Sequence, residues 1–109
     1  MAVNVQFCIE HHYFCDALYV WMKWEFPFLP RIGESVSPWF WIEEGTYDPD
    51  KIKSMFTSEG LASWDAWQGD FKSWLYEMGI SADTIANLSY FKDREDGCPY
   101  VHLLMQEER

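Results

Sequence analysis

Four side chains that could bind a soft metal fall close together near the start of the chain: Cys8, His11, His12 and Cys15. Two thiolates and two imidazoles would suit a tetrahedral zinc ion, which prefers sulfur and nitrogen donors. Their spacing of three, one and three matches no familiar zinc-finger pattern, and loop histidines and buried thiols are common without any metal. A nucleophilic thiol needs a base or a positive neighbour, which His12 could give Cys15 and His102 could give Cys98. On a strand, Cys98 and His102 would share a face yet stand ~13 Å apart at ~3.3 Å per residue. The paired carboxylates Glu43 and Glu44, and the group Asp93, Glu95 and Asp96, lack the regular spacing of a calcium loop and read as solvated turns. Neither a Gly-x-Ser-x-Gly elbow, nor a His-Glu-x-x-His pair, nor a phosphate-cradling glycine loop occurs. The chemistry therefore leans away from an enzyme and implies no cofactor. The Cys8 to Cys15 segment remains the candidate for a metal- or small-ligand-binding protein.

Aromatic residues offer a second kind of site. Seven Trp, six Tyr and eight Phe make up 19% of the 109 residues. Rings remove much apolar area from water for each residue fixed, so most of them should build the core of a chain this short. Trp21, Trp39, Trp41 and Tyr47 exceed what one sheet face easily buries. With Glu43, Glu44, Asp48 and Asp50 they could form an acidic, aromatic contact surface, unless a helix and a hairpin cover them. Eighteen acidic against eight basic residues give a net charge of −10, which disfavours direct contact with nucleic acid or anionic lipid. The partner expected is a protein, with a homodimer as the simplest version. An acidic inhibitor or immunity-type protein directed at a basic partner is the alternative.

The elements that must position these residues follow from periodicity. Val3, Val5, Phe7 and Ile9 alternate with Asn4, Gln6, Cys8 and Glu10, which predicts a first strand with one face on a core. Val20, Met22, Trp24 and Phe26 alternate with Trp21, Lys23 and Glu25, so a second strand should complete a hairpin and leave Trp21 on its outward face. Trp39 to Glu43 reads as a short strand, and Asp48-Pro49 opens a helix toward Phe56. Leu61, Trp64, Trp67, Phe71, Trp74, Leu75 and Met78 recur at three and four residues, predicting one amphipathic helix that Gly79 closes. Asn87 to Lys92 and Tyr100 to Gln106 flank a polar loop holding Asp96-Gly97, a second hairpin with Val101, Leu103 and Met105 inward.

The length fits a single domain over residues 1–109. Without βαβ repetition, the order of elements predicts an α+β fold: a small antiparallel sheet or partly open barrel with the Trp-rich helix packed on it. The segment Phe28-Leu29-Pro30-Arg31-Ile32-Gly33-Glu34 resembles an element of small bacterial proteins of uncharacterised function. In them Phe-Leu-Pro-Arg-Ile/Val-Gly-Asp/Glu links two strands of a compact β-rich domain. That resemblance implies a sheet corner here and makes the long middle segment an insertion. The longest apolar run, Ala17 to Met22, falls far short of the ~20 residues that span a membrane. The first residues carry no charged leader with an apolar stretch, and three cysteines are an odd number. A cytoplasmic protein with reduced thiols is the expectation.

Overall fold

The computed structural model describes residues 3–107. Strands β1 (Val3–Glu10) and β2 (Leu18–Trp24) pair antiparallel, with Val5 opposite Met22 and Phe7 opposite Val20. Four helices follow: α1 (Trp39–Glu44), α2 (Pro49–Ser54), α3 (Ser58–Ala66) and α4 (Phe71–Gly79). A 3-10 turn at Ile80–Ala82 leads into the second hairpin, β3 (Thr84–Lys92) and β4 (Pro99–Gln106). The sheet is open, in the order β2-β1-β4-β3, so the architecture is α+β and does not close into a barrel.

The central pair, β1 and β4, is parallel, with Val5 opposite Val101 and Ile9 opposite Met105. The sheet is thus mixed, where the order of elements, free of βαβ repetition, predicted an antiparallel one. Parallel neighbours need a long crossover, and residues 25–83 supply it by carrying the chain from the Trp24 end of the sheet to its opposite end before β3 begins.

All the helices lie on one face. Ile42 and Trp41 of α1, Ile52 of α2 and Trp74, Leu75 and Met78 of α4 share one buried cluster with Phe7, Ile9, Val20, Trp24, Leu103 and Met105 of the sheet. Trp24, Trp41 and Trp74 are each at most 1% exposed, so three indoles form the heart of this core. The Trp74 indole N–H donates to Ser63 Oγ at 3.0 Å, and that of Trp24 to the Phe28 carbonyl.

Two predicted elements take a different form. Trp39 to Glu43 is helical rather than extended. Pro38 already has helical dihedrals (φ −57°, ψ −23°), and one helical turn sends Trp41 and Ile42 into the core while Trp39 stacks on Tyr76 at 4.9 Å. The long Trp-rich helix is two helices. The chain breaks between Trp67 and Asp70, where Asp70 Oδ1 accepts the Ser73 N–H at 2.9 Å and starts α4, and the Trp67 indole N–H donates to the Asp70 carbonyl at 3.1 Å. Helix α2 starts as expected, with Asp48 Oδ1 accepting from Asp50 N–H and Pro49 at the first position.

The borders of the sheet differ. On the β2 side, Trp21 and Thr46 exchange backbone hydrogen bonds of 3.3 and 2.7 Å. Phe28–Glu34 lies within the crossover, which reaches the β3 border. There Gly33, at φ +90°, donates to the Ile85 carbonyl at 2.8 Å, and Ile85 donates to Glu34 at 2.9 Å. A bulge separates Ile85 from Asn87, and beyond it no described residue pairs with the outer border of β3.

Candidate functional site

Because β1 and β4 run in the same direction, their carboxyl ends emerge side by side. Glu10 leads into His11 and His12, and Gln106 leads into Glu107. Glu107 Oε1 lies 3.0 Å from His11 Nε2 and 2.6 Å from His12 Nδ1, while Oε2 accepts the His12 backbone N–H at 3.0 Å. His12 Nε2 faces Glu59 of α3 at 3.2 Å. His11 is 8% exposed, and its Nε2 also meets Ser81 Oγ at 2.8 Å, whose hydroxyl donates to the Met78 carbonyl at 2.7 Å. Glu10, His11, His12, Gln106 and Glu107 line a shallow cleft of about 540 Å³ here.

His11, His12 and Glu107 form the one group of potential metal ligands among the described residues, and the thiols of Cys8 and Cys15 stand outside it. Local hydrogen bonding assigns a different role to His11. The Tyr13 backbone N–H donates to His11 Nδ1 at 3.1 Å, so in the neutral ring the proton sits on Nε2 and points to Ser81 and Glu107. A nitrogen that carries this proton is neither a lone-pair ligand nor a base toward Ser81. Burial pushes the His11 pKa down to about 4, against the opposing charge of Glu107. Burial by itself would raise Glu107, but the His12 N–H and ring, with the charges of both histidines, hold it below its usual value. The group is a hydrogen-bonded clamp that ties the end of β4 to the β1–β2 turn, to α3 and to the 3-10 turn. Its members Glu107, Glu59 and Ser81 carry no local signal in the sequence, since the parallel pairing brings Glu107 to the histidines and the docking of α3 and the 3-10 turn brings Glu59 and Ser81.

None of the thiols with a shifted pKa is activated. Burial raises Cys8, which sits on the helix-free face beside Tyr19. The Asp96 carboxylate raises the exposed Cys98. Cys15 is exposed, with its backbone N–H bonded to the Met55 carbonyl at 2.9 Å. Asp93 Oδ1 accepts the N–H groups of Glu95 and Asp96, and Asp96 Oδ1 that of Cys98, so these carboxylates build their own turn.

The aromatic residues singled out by composition part company. Trp41 is fully buried. Tyr47 is half-buried, with its ring 6.2 Å from that of Trp41 and its hydroxyl donating to the Ile42 carbonyl at 3.2 Å. Trp39 lies on the helical side against Tyr76, and Glu43 and Glu44 are exposed at the end of α1. Trp21 alone stands on the face that the helices leave bare. Its ring meets Tyr100 edge-on at 4.9 Å across β1, and Phe91 stacks on Tyr100 at 5.6 Å and touches His102 at 5.7 Å. Trp21 is 40%, Phe91 48% and the neighbouring Tyr19 52% exposed. The sequence pattern places Tyr100 and Phe91 only on strands. Their place beside Trp21 follows from the strand order.

Acidic groups edge this ring cluster. Glu44 and Glu25 line a groove with Trp21, Asn4, Lys23 and Thr46. Tyr19 is held above its usual pKa first by Cys8 and by partial burial, with Asp16 and Glu10 adding to the effect. Asp96 lies at the turn that joins β3 to β4.

Comparison with protein-family models, with curated proteins and with solved structures finds no match for this chain. No helix among the described residues is long and apolar enough to cross a membrane.

Proposed function

We propose that this chain is a non-enzymatic protein-interaction domain that presents the bare face of its sheet to another protein. The observation that carries the reading is the continuous ring cluster of Trp21, Tyr100 and Phe91, spread over three strands on the face opposite every helix. Large, half-exposed Trp and Tyr side chains at the centre of a surface are the residues that most often dominate binding energy. The proton on His11 Nε2 and the raised Cys8 and Cys98 thiols count against a catalytic reading of the cleft and the cysteines.

The test is selection of a displayed random-peptide library on the folded chain, followed by binding of the enriched peptides to variants. Trp21→Ala and Phe91→Ala should each weaken binding at least tenfold, a cost of about 1.4 kcal/mol. Trp39→Ala, on the helical side, should leave it unchanged. Enriched peptides indifferent to both sheet-face variants would refute the proposal.

A further inference from the structure

We infer that the occupant of the bare sheet face is an arginine-bearing basic surface of another protein, rather than a second copy of this chain. This inference rests on the reading of the face as the contact surface, and adds the chemistry of what meets it.

Two observations point the same way. First, the centre of the face is aromatic and nearly free of charge. Trp21, Tyr100 and Phe91 expose π surface, while the strand positions around them are Asn4, Gln6, Ser89 and His102, with Lys23 opposite Asn4 as the one charged neighbour on these strand positions. A guanidinium is planar, weakly hydrated and stacks on such rings, whereas an ammonium is compact and more strongly hydrated. Second, the rim is acidic. Glu25 and Glu44 flank the Trp21 groove, Glu10 and Asp16 lie near Tyr19, and Lys23 is the basic residue among the groove's lining groups. A guanidinium stacked on Trp21 would have the Glu25 and Glu44 carboxylates within the same groove, so stacking and charge pairing fall to one residue type.

The same rim argues against self-association through this face. Each copy carries a net charge of −10, and face-to-face pairing would bring two acidic rims together around apolar centres. A basic partner turns that repulsion into attraction and gains speed of encounter from it.

The experiment uses three capped decapeptides of alternating residues, Arg-Gly, Lys-Gly and Glu-Gly, titrated into the isotopically labelled full chain and followed by NMR at 20 and 300 mM salt. The Arg-Gly peptide should shift the Trp21 indole N–H and the backbone amides around Phe91 and Tyr100. It should bind at least threefold more tightly than Lys-Gly at equal charge, and Glu-Gly should not bind. Affinity should fall at least fivefold at the higher salt. Trp21→Ala should abolish the preference for arginine, and the double variant Glu25→Gln, Glu44→Gln should weaken both cationic peptides. Either variant could be misfolded, so each is checked for wild-type amide shifts in the helices.

Equal affinity for the two cationic peptides, shifts spread over the acidic helix surfaces, or a salt-resistant dimer that Phe91→Ser dissociates would each overturn the inference. If library-selected peptides still land on the bare face in that case, the contact surface stands and only its partner chemistry falls. If they do not, both fail.

Discussion

His12 Nδ1 lies 2.6 Å from Glu107 Oε1, a contact between residues 95 apart in the sequence. It exists because two parallel strands end at the same level, and it makes the residue that follows β4 part of the structure around the first turn. The stability of the fold should therefore respond to the protonation of this clamp.

His11 titrates near 4 in the folded chain, because burial disfavours its charged form, and near 6.5 when unfolded. Between those values the unfolded chain binds the extra proton, so stability is complete above about pH 6.5 and declines as pH falls toward 4. Glu107, held below its ordinary value, adds a loss of the same sign at the acidic end. Screening by the open cleft reduces the effect to about 1–3 kcal/mol. Urea midpoints at pH 7.5 and pH 5 measure it, and His11→Gln should flatten the difference.

The tautomer of His11 makes a separate prediction. Since Nδ1 accepts the Tyr13 N–H, zinc would have to displace the Nε2 proton and break the bonds to Ser81 and Glu107. Equimolar zinc should leave the thermal midpoint within about a degree of its metal-free value. A rise that grows with zinc and vanishes in His12→Ala would show that the clamp opens to receive an ion.

Trp74 should be the most costly single aromatic to truncate on the helical side. It is 1% exposed, its indole N–H is used by Ser63, and the rings of Phe14, Phe56, Trp64 and Phe71 surround it. Trp74→Ala should cost about 3–5 kcal/mol in denaturant unfolding. Trp74→Phe, which loses one hydrogen bond and part of the volume, should cost clearly less.

Two glycines separate crowding from backbone strain. A methyl group on Gly45 would collide with the Trp41 carbonyl and with Val20 Cγ1, at the point where Thr46 joins β2. On Gly33 it would meet nothing, and only the φ of +90° opposes it. Gly33→Ala should cost about 1–2 kcal/mol and Gly45→Ala more, with the ranking read from thermal or urea midpoints.

Strand alternation made much of the sheet legible. Val5, Phe7 and Ile9, and then Val101, Leu103 and Met105, announce their inward faces at a period of two, and Asp48-Pro49 announces a helix start. The break in the long helix was written in Gln68-Gly69-Asp70, but the unbroken spacing of Trp64, Trp67, Phe71 and Trp74 concealed it. Trp39 to Glu43 has strand composition, and its helical form follows on from Pro38, whose dihedrals are already helical. Both candidate sites depend on sheet order, which periodicity does not encode. The histidines were visible, while Glu107 reaches them through the parallel pairing and Glu59 and Ser81 through the docking of α3 and the 3-10 turn. Likewise Trp21 stood out by its outward position, and its neighbours Tyr100 and Phe91 did not.

The borders of the sheet differ in how far they are occupied. Thr46 clips the β2 margin at Trp21, whereas Gly33 and Glu34 cover the start of β3 and leave it from Asn87 onward without a described backbone partner. A foreign strand laid along β3 would meet a run of free donors and acceptors, and one laid along β2 would first have to lift Thr46 away.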